Sequence, residues 1–320
     1  MKTYDDPELQ AIAVKLTSDD PGIRRVAVMS LVDSGEPEAV ELVIHALQDS
    51  NTEVRQEAAK VVDEFDAADM ADALIAALSD GDEVVRNSAA HALADLKDPA
   101  AAEPLLEALE NSTDGFVVSG ILRALKPLRI HGAQGPALKR LGDSDARVRR
   151  EAVGVLGWLK QPENLPALVE TAQHDEDPEV RRAATGALVY ASPQQVGQAL
   201  IGLLQDKHWQ VRCEAANSIG KLDHQAAVQP LMDATKKDEL WQVREKAVDA
   251  LGKLGSTDSI PVLGECSMDA MSNLRKAAIG ALGAIAHSDC RPFVEGALED
   301  QDPDVRKLAR WAISKLDAAA

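Results

Sequence analysis

The chain has 320 residues, of which 45% are apolar and 3% aromatic, and its formal net charge is −19. The apolar content excludes global disorder. The acidic charge disfavours nucleic acid and anionic membranes, because phosphate groups are bound through Lys and Arg.

The N-terminal sequence MKTYDDPELQ is polar and acidic, unlike a signal peptide, and no apolar run is long enough to span a membrane. The three cysteines form no CxxC motif, which excludes a disulfide framework and indicates a reducing compartment. A cytoplasmic protein is therefore predicted. Its acidity favours a protein partner with a basic surface, and the oligomeric state stays open.

From the N-terminus onward one short pattern returns every 31 or 32 residues, and its central position is Arg in nine of ten units. An aliphatic residue precedes this position in every unit. Ala follows three residues later in nine units, and Leu, Ile or Val follows seven residues later in all ten. This spacing predicts an amphipathic helix. The ten positions are Arg24, Arg55, Arg86, Val118, Arg149, Arg181, Arg212, Arg244, Arg275 and Arg306.

A second apolar stretch precedes each of these helices, as in AVELVIHAL at 39–47, and an Asp-rich turn such as DEDPEV at 175–180 joins the two. In this turn Asp caps the second helix and Pro suits its first position. No strand pattern is present. The sequence therefore predicts an all-α fold, an α-solenoid of about ten stacked αα-hairpins forming a single domain over 1–320.

An Asp precedes the Arg position by six residues in eight units, at Asp49, Asp80, Asp143, Asp175, Asp206, Asp238, Asp269 and Asp300. With this pair the chain resembles the HEAT-like repeat family, specifically the short repeats named after phycobilisome lyases. The resemblance implies a ladder of hydrogen-bonded Asp and Arg side chains between neighbouring repeats. It also implies that the second helices line a concave face. It specifies no single function, because the fold serves binding proteins and enzymes alike.

The fourth repeat departs from the pattern, since Ser112 and Val118 replace the ladder Asp and Arg. The two losses are coupled in physical terms, because a buried charge without its partner is costly. We expect an irregular repeat near 111–136, with an irregular stretch over 126–136 and a local change in curvature or a hinge.

Repeats five and six carry the same three residue types on the predicted solvent stripe of the second helix, namely Arg150, Gly154, Trp158 and Arg182, Gly186, Tyr190. Gly in a helix costs about 1 kcal/mol relative to Ala, so two at one offset need a reason. One hypothesis is a shallow binding slot, in which Arg supplies directed donors beside an aromatic ring. The alternative is that both rings fold back onto their hairpins.

Three further candidates lie in repeats seven and eight. Trp209 and Trp241 occupy the helix-start position filled by Pro in other repeats, where packing is favoured and a partner contact is second. Cys213 follows Arg212, which would lower its pKa, but no His stands at helical spacing to act as its base. Cys213 is therefore grouped with the candidate partner-binding residues.

No catalytic motif is present, and none of the seven His is followed by Glu, unlike the di-iron hydroxylase of the family. The sequence predicts a non-catalytic scaffold, adaptor or assembly factor that engages a partner protein on the concave face, with no metal and no cofactor. The alternative, implied by the lyase resemblance, is an accessory or lyase-type subunit that handles a tetrapyrrole or other flat cofactor for a client protein.

Overall fold

The computed structural model describes residues 2–65, 69–95 and 97–319, and these residues form twenty α-helices and no β-strand. The all-α fold of ten stacked αα-hairpins is therefore confirmed. Two compact units contain five hairpins each, unit 1 within 1–159 and unit 2 within 160–320. The single-domain assignment over 1–320 stays a prediction.

In unit 1 the helices are α1 (Pro7–Leu16), α2 (Pro21–Ser34), α3 (Ala39–Leu47), α4 (Thr52–Val61), α5 (Ala71–Ala77), α6 (Glu83–Ala94), α7 (Ala102–Asn111), α8 (Gly115–Leu128), α9 (Gln134–Arg140) and α10 (Ala146–Leu159). In unit 2 they are α11 (Leu165–His174), α12 (Pro178–Ala187), α13 (Pro193–Leu203), α14 (Trp209–Lys221), α15 (Val228–Lys237), α16 (Trp241–Leu254), α17 (Ile260–Cys266), α18 (Ser272–Ile285), α19 (Arg291–Gly296) and α20 (Pro303–Ala319). Short 3₁₀ turns lie at Val62–Glu64, Pro99–Ala101, His131–Ala133, Pro162–Asn164, Leu188–Tyr190, Gln225–Ala227, Thr257–Ser259, Ser288–Cys290 and Ala297–Glu299.

Each hairpin pairs an odd-numbered first helix with the even-numbered second helix that follows it. Within each unit successive second helices pack on one another far more extensively than successive first helices do. The residue three positions after the ladder position, which is Ala in nine repeats, explains this close approach. All nine Ala residues and Ile121 at this position are almost fully buried. The second helices of each unit thus form a closely packed layer, here called the second-helix layer of that unit.

The predicted caps are present at the turns inside the hairpins. The Asp177 side chain accepts hydrogen bonds from the backbone N–H groups of Glu179 and Val180, and Pro178 is the first residue of α12. Asp20 and Asp82 cap α2 and α6 in the same manner. At these turns the Asp side chain therefore fixes where the second helix begins.

The Asp–Arg ladder is present between neighbouring repeats. Arg181 donates from Nε and Nη2 to both carboxylate oxygens of Asp206 in the next repeat, at 2.8 and 2.9 Å, and from Nη1 to the carbonyl oxygen of Asp175 at 2.9 Å. Arg181 therefore holds its own turn and the next turn together. The same bidentate pairs are Arg24–Asp49, Arg55–Asp80, Arg212–Asp238 and Arg275–Asp300.

In the fourth repeat an Arg outside the repeat pattern takes the place of the missing ladder Arg. Arg140, the last residue of α9, donates to the Asp143 carboxylate at 3.2 Å and to the carbonyl oxygen of Ser112 at 2.7 Å. By the spacing of the other repeats, these are the two groups that an Arg at position 118 would contact. Val118 is buried, and Asp143 keeps a cationic partner. The cation missing at position 118 is thus replaced by Arg140, whereas position 112 has Ser in place of the ladder carboxylate.

The stretch 126–136 is also more regular than expected. Helix α8 continues through Pro127 to Leu128 and ends at Arg129, whose φ of 52° places it in the left-handed region. The 3₁₀ turn at His131–Ala133 then leads directly into α9. A hinge at this repeat stays a prediction.

Replacing a fully buried ladder Arg should destabilise the protein more than replacing a partly exposed one. The Arg181 side chain is 2% exposed, whereas that of Arg244 is 22% exposed and lies 3.9 Å from Asp269. We expect Arg181→Ala to lower the free energy of unfolding by about 3 kcal/mol, since it leaves the buried Asp206 without its charge partner. Arg244→Ala should cost about 1 kcal/mol or less. Urea unfolding measures both values, and equal losses would contradict the assigned ladder.

The ladder also predicts how stability depends on pH. Hydrogen bonds from Arg24, Arg55 and Arg275 lower the pKa values of Asp49, Asp80 and Asp300 in the folded protein. Because the unfolded value is about 4, the ionised pairs stabilise fully above that pH, and the contribution is lost as pH falls through the folded-state pKa. Thermal unfolding should show a melting temperature that falls below about pH 4. The Asp80→Asn variant should have a lower melting temperature at neutral pH, and this temperature should fall less steeply with decreasing pH. An unchanged slope would contradict this assignment.

Candidate functional site

The stripe residues of repeat five lie on α10 beside a cluster of cations from α8. Glu151 is buried, and its Oε2 lies 2.7 Å from Nζ of Lys126. Its Oε1 lies 3.5 Å from guanidinium nitrogens of both Arg123 and Arg150. Three cations therefore share one carboxylate, so this part of the second-helix layer has an excess of positive charge.

Gly154 provides room for one of these cations. A Cβ added at Gly154 would lie 2.7 Å from Cδ of Lys126, so the Lys126 side chain crosses the helix where a side chain is missing. The expectation of an open slot at Gly154 is wrong, because the space is filled by the cation that pairs with Glu151.

Trp158 does not fold back onto its hairpin. Its side chain is 47% exposed, and the Arg129 guanidinium lies 5.1 Å from the ring centre. This cation–π contact holds the indole at the surface. We define the basic patch as Arg123, Lys126, Arg129 and Arg150 together with Trp158 and Glu151.

The equivalent residues of repeat six, in unit 2, are arranged differently. Arg182 pairs with Glu179 on its own helix at 2.8 Å. A Cβ added at Gly186 would lie 3.2 Å from Oε1 of Glu214, so a carboxylate fills this space as well. Tyr190 donates from its hydroxyl to the carbonyl oxygen of Gln161 at 3.0 Å, and burial raises its pKa to about 12. Tyr190 therefore follows the alternative in which the ring folds back onto the hairpin.

The alternative function, in which the chain handles a tetrapyrrole or other flat cofactor, needs an open slot, and the slot expected from the sequence lies on the stripe of repeats five and six. With Lys126 and Glu214 in the spaces at Gly154 and Gly186, that hypothesis has no open slot at either glycine. It stays a prediction without a described cavity to support it.

Arg182 and Cys213 line an open groove across α12, α14 and α16, whose other lining residues are Glu179, Gln210, Glu214, Asn217, Lys246, Asp249, Ala250 and Lys253. Burial raises the pKa of Cys213 to about 11, and the lowering effects of Lys246 and Arg212 do not offset it. Arg212 therefore lowers this pKa as expected, but burial has the larger effect and the net shift is upward. Cys213 is a neutral thiol near neutral pH.

Trp209 and Trp241 are the first residues of α14 and α16, as the comparison with Pro21, Pro178 and Pro303 predicts. Both are half-buried. Neither of these helices has a side-chain cap, since His208 and Leu240 stand at the capping positions without such a bond. A role in partner binding at these two residues stays a prediction.

Sequence reasoning missed Arg123, Lys126 and Arg129. The signal was the charge of the segment 115–160, which has nine Lys and Arg residues and three Asp and Glu residues in a chain of net charge −19. Two of these carboxylates are paired elsewhere, Asp145 with Arg147 and Asp143 with Arg140. A running count of charge would therefore have marked this segment.

Among the described residues, no group of three or more His, Cys, Asp and Glu side chains is arranged to hold a metal ion. In the same residues no helix is both long and apolar enough to cross a membrane.

A family model described as HEAT repeats matches residues 7–74, 40–126, 132–189, 197–270 and 267–320. The chain belongs to the HEAT-repeat family. This confirms the resemblance drawn from the Asp–Arg spacing, while the phycobilisome-lyase subclass stays a prediction. No curated protein shows significant similarity to this HEAT-repeat protein.

Several solved structures of karyopherins share the fold of this HEAT-repeat protein. Kap121p bound to the extreme C-terminus of the protein phosphatase Cdc14p has a TM-score of 0.69 and 13% identity, covering 99% of this chain and 42% of that chain. Kap121p bound to Pho4p has a TM-score of 0.63 and 16% identity, covering 90% and 38%. The structure in which Kap95p binds RanGDP has a TM-score of 0.62 and 16% identity, covering 97% and 48%. The chain thus spans less than half of each of these chains.

The protonation state of Cys213 can be measured by alkylation. Because the thiolate is the nucleophile, a pKa of about 11 predicts slow reaction of folded Cys213 with iodoacetamide at neutral pH and a rise toward pH 11. The measurement uses the Cys266→Ala/Cys290→Ala variant, which leaves Cys213 as its one thiol. A rate that already reaches its plateau near neutral pH would contradict the effect of burial.

Proposed function

We propose that this HEAT-repeat protein is a non-catalytic scaffold or adaptor that holds a partner protein on its second-helix layer. The proposal rests on the exposure of Trp158, a large aromatic side chain that is 47% exposed within a cluster of Arg and Lys. Trp and Arg are the residues most enriched at energetic centres of protein interfaces.

Two further points support a binding role. The second-helix layer is built by close packing of helices and carries the exposed stripe on its outer side, which provides a rigid platform. The karyopherins of similar fold are solved in complexes with protein ligands, among them Cdc14p and Pho4p. For the present chain, a protein partner and a cytoplasmic location are part of the proposal.

The test compares two exposed Trp side chains. Trp158 is 47% exposed and Trp311 is 41% exposed, and both lie near a cation, Arg129 at 5.1 Å and Lys315 at 6.0 Å from the respective ring centre. We expect Trp158→Ala to lower the amount of captured partner roughly tenfold, as for a central interface residue. Trp311→Ala should leave capture unchanged.

Affinity capture of isotope-labelled lysate followed by quantitative mass spectrometry measures both variants against the native chain. Circular dichroism confirms that each variant is folded. If no protein is enriched over a bait with an unrelated fold, or if both Trp variants retain the same partner in full, the proposal is wrong.

A further inference from the structure

The basic patch has more positive charge than its own carboxylate can neutralise. Arg123, Lys126 and Arg150 converge on the single carboxylate of Glu151, and Arg129 faces the Trp158 ring. The Arg123 and Arg150 side chains remain 47% and 41% exposed, respectively. Their solvent-facing N–H groups are therefore available to a ligand, while the buried Glu151 holds the two guanidinium groups in place.

The equivalent Arg of the first repeat shows the contrast. Arg25 stands one residue after its ladder Arg, as Arg150 does, and its side chain is 47% exposed. It lies 3.5 Å from Glu53 and 3.3 Å from Glu57, so two carboxylates surround one cation. The basic patch has the opposite balance, with three cations around one carboxylate.

We infer that the basic patch binds an acidic segment of a partner protein, in which carboxylates flank an apolar or aromatic side chain. This inference rests on the proposed scaffold function and specifies its partner. Guanidinium groups bind carboxylates through paired, directed hydrogen bonds. The exposed edge of Trp158 supplies the apolar contact.

The dimensions and the surrounding charge favour a short peptide segment over an extended polyanion. Arg150 and Trp158 are eight residues apart on α10, about 12 Å along its axis, which an extended peptide of roughly four residues spans. Nucleic acid or an anionic membrane would extend beyond the patch and meet the remainder of a chain whose net charge is −19.

Fluorescence anisotropy with a labelled synthetic peptide tests the inference on the full chain. The peptide carries Asp and Glu residues around one Phe, and a matched peptide has Lys in place of the acids. We expect the acidic peptide to bind, the basic one to fail, and added salt to weaken binding. Arg123→Gln/Arg150→Gln should weaken binding roughly tenfold, as expected for two exposed ion pairs, and Arg25→Gln less than about twofold.

Trp158→Ala should weaken binding of the Phe peptide and leave a Ser-for-Phe peptide unaffected. Melting temperatures establish that the variants are folded. If the double variant has a lowered melting temperature, the single variant Arg150→Gln is measured instead. In this variant Glu151 still has Lys126 and Arg123 as cationic partners.

Equal binding by the double variant and the native chain would overturn the inference. So would a single-stranded DNA or phosphatidylserine vesicles that displace the peptide and depend on the same two Arg. If the chain captures a protein partner through Trp158 but does not bind the acidic peptide, this inference is wrong and the scaffold function still stands. Peptide binding that depends on the patch, without any captured protein, would support the inference and count against the scaffold function.

Discussion

Hydrogen-bonded ion pairs between successive repeats hold the stacked hairpins in register. A ladder Arg such as Arg181 binds the backbone of its own turn and the carboxylate of Asp206 in the following turn. This fixes the offset between neighbouring hairpins, while the small residue at Ala184 sets how closely their second helices approach. The pair is nearly dry, so removing one member leaves a buried charge rather than a solvated one. The ladder therefore constrains register more strongly than an exposed ion pair would.

The same constraint explains why the fourth and fifth repeats differ from the others. With Val118 at the ladder position, the turns at Ser112 and Asp143 still need a cation, and Arg140 supplies it from the first helix of the next repeat. At the preceding step, Arg86 lies with its guanidinium 5.9 Å from the centre of the Phe116 ring. Cations in this segment thus take positions that the repeat pattern does not assign. The basic patch is part of the same departure.

Much of the fold could be predicted from the sequence because its signals are local and periodic. The burial of Ala27 and its equivalents follows from the 3.6-residue period, and the start of α12 follows from Asp177 and Pro178. The ladder pairs were assigned through family resemblance, since residues 25 or 26 apart in sequence carry no local signal of contact. The sequence shows the charged residues, but it does not show which Asp pairs with which Arg.

The candidate site was predictable only in part, for the same physical reason. The exposed Trp158 and Arg150 lie on the expected stripe, but the space at Gly154 is taken by Lys126 from the neighbouring helix. The Tyr190 hydroxyl donates to a backbone carbonyl. Every residue has such a carbonyl, so the residue types in the sequence do not show this partner. Cys213 lies beside Arg212, yet burial outweighs that charge in setting its pKa. Sequence spacing identifies neighbours along one helix, whereas these outcomes depend on the adjacent helix.

Arg140 replaces the missing ladder cation of the fourth repeat, and a double-mutant cycle on Arg140→Ala and Asp143→Ala tests whether it is the charge partner of Asp143. Urea unfolding of the native chain, the two single variants and the double variant gives the coupling energy, with Arg24→Ala and Asp49→Ala as the reference cycle. We expect a coupling of about 1 kcal/mol or more at both sites. Additivity within about 0.3 kcal/mol for Arg140 and Asp143, beside clear coupling in the reference pair, would contradict it.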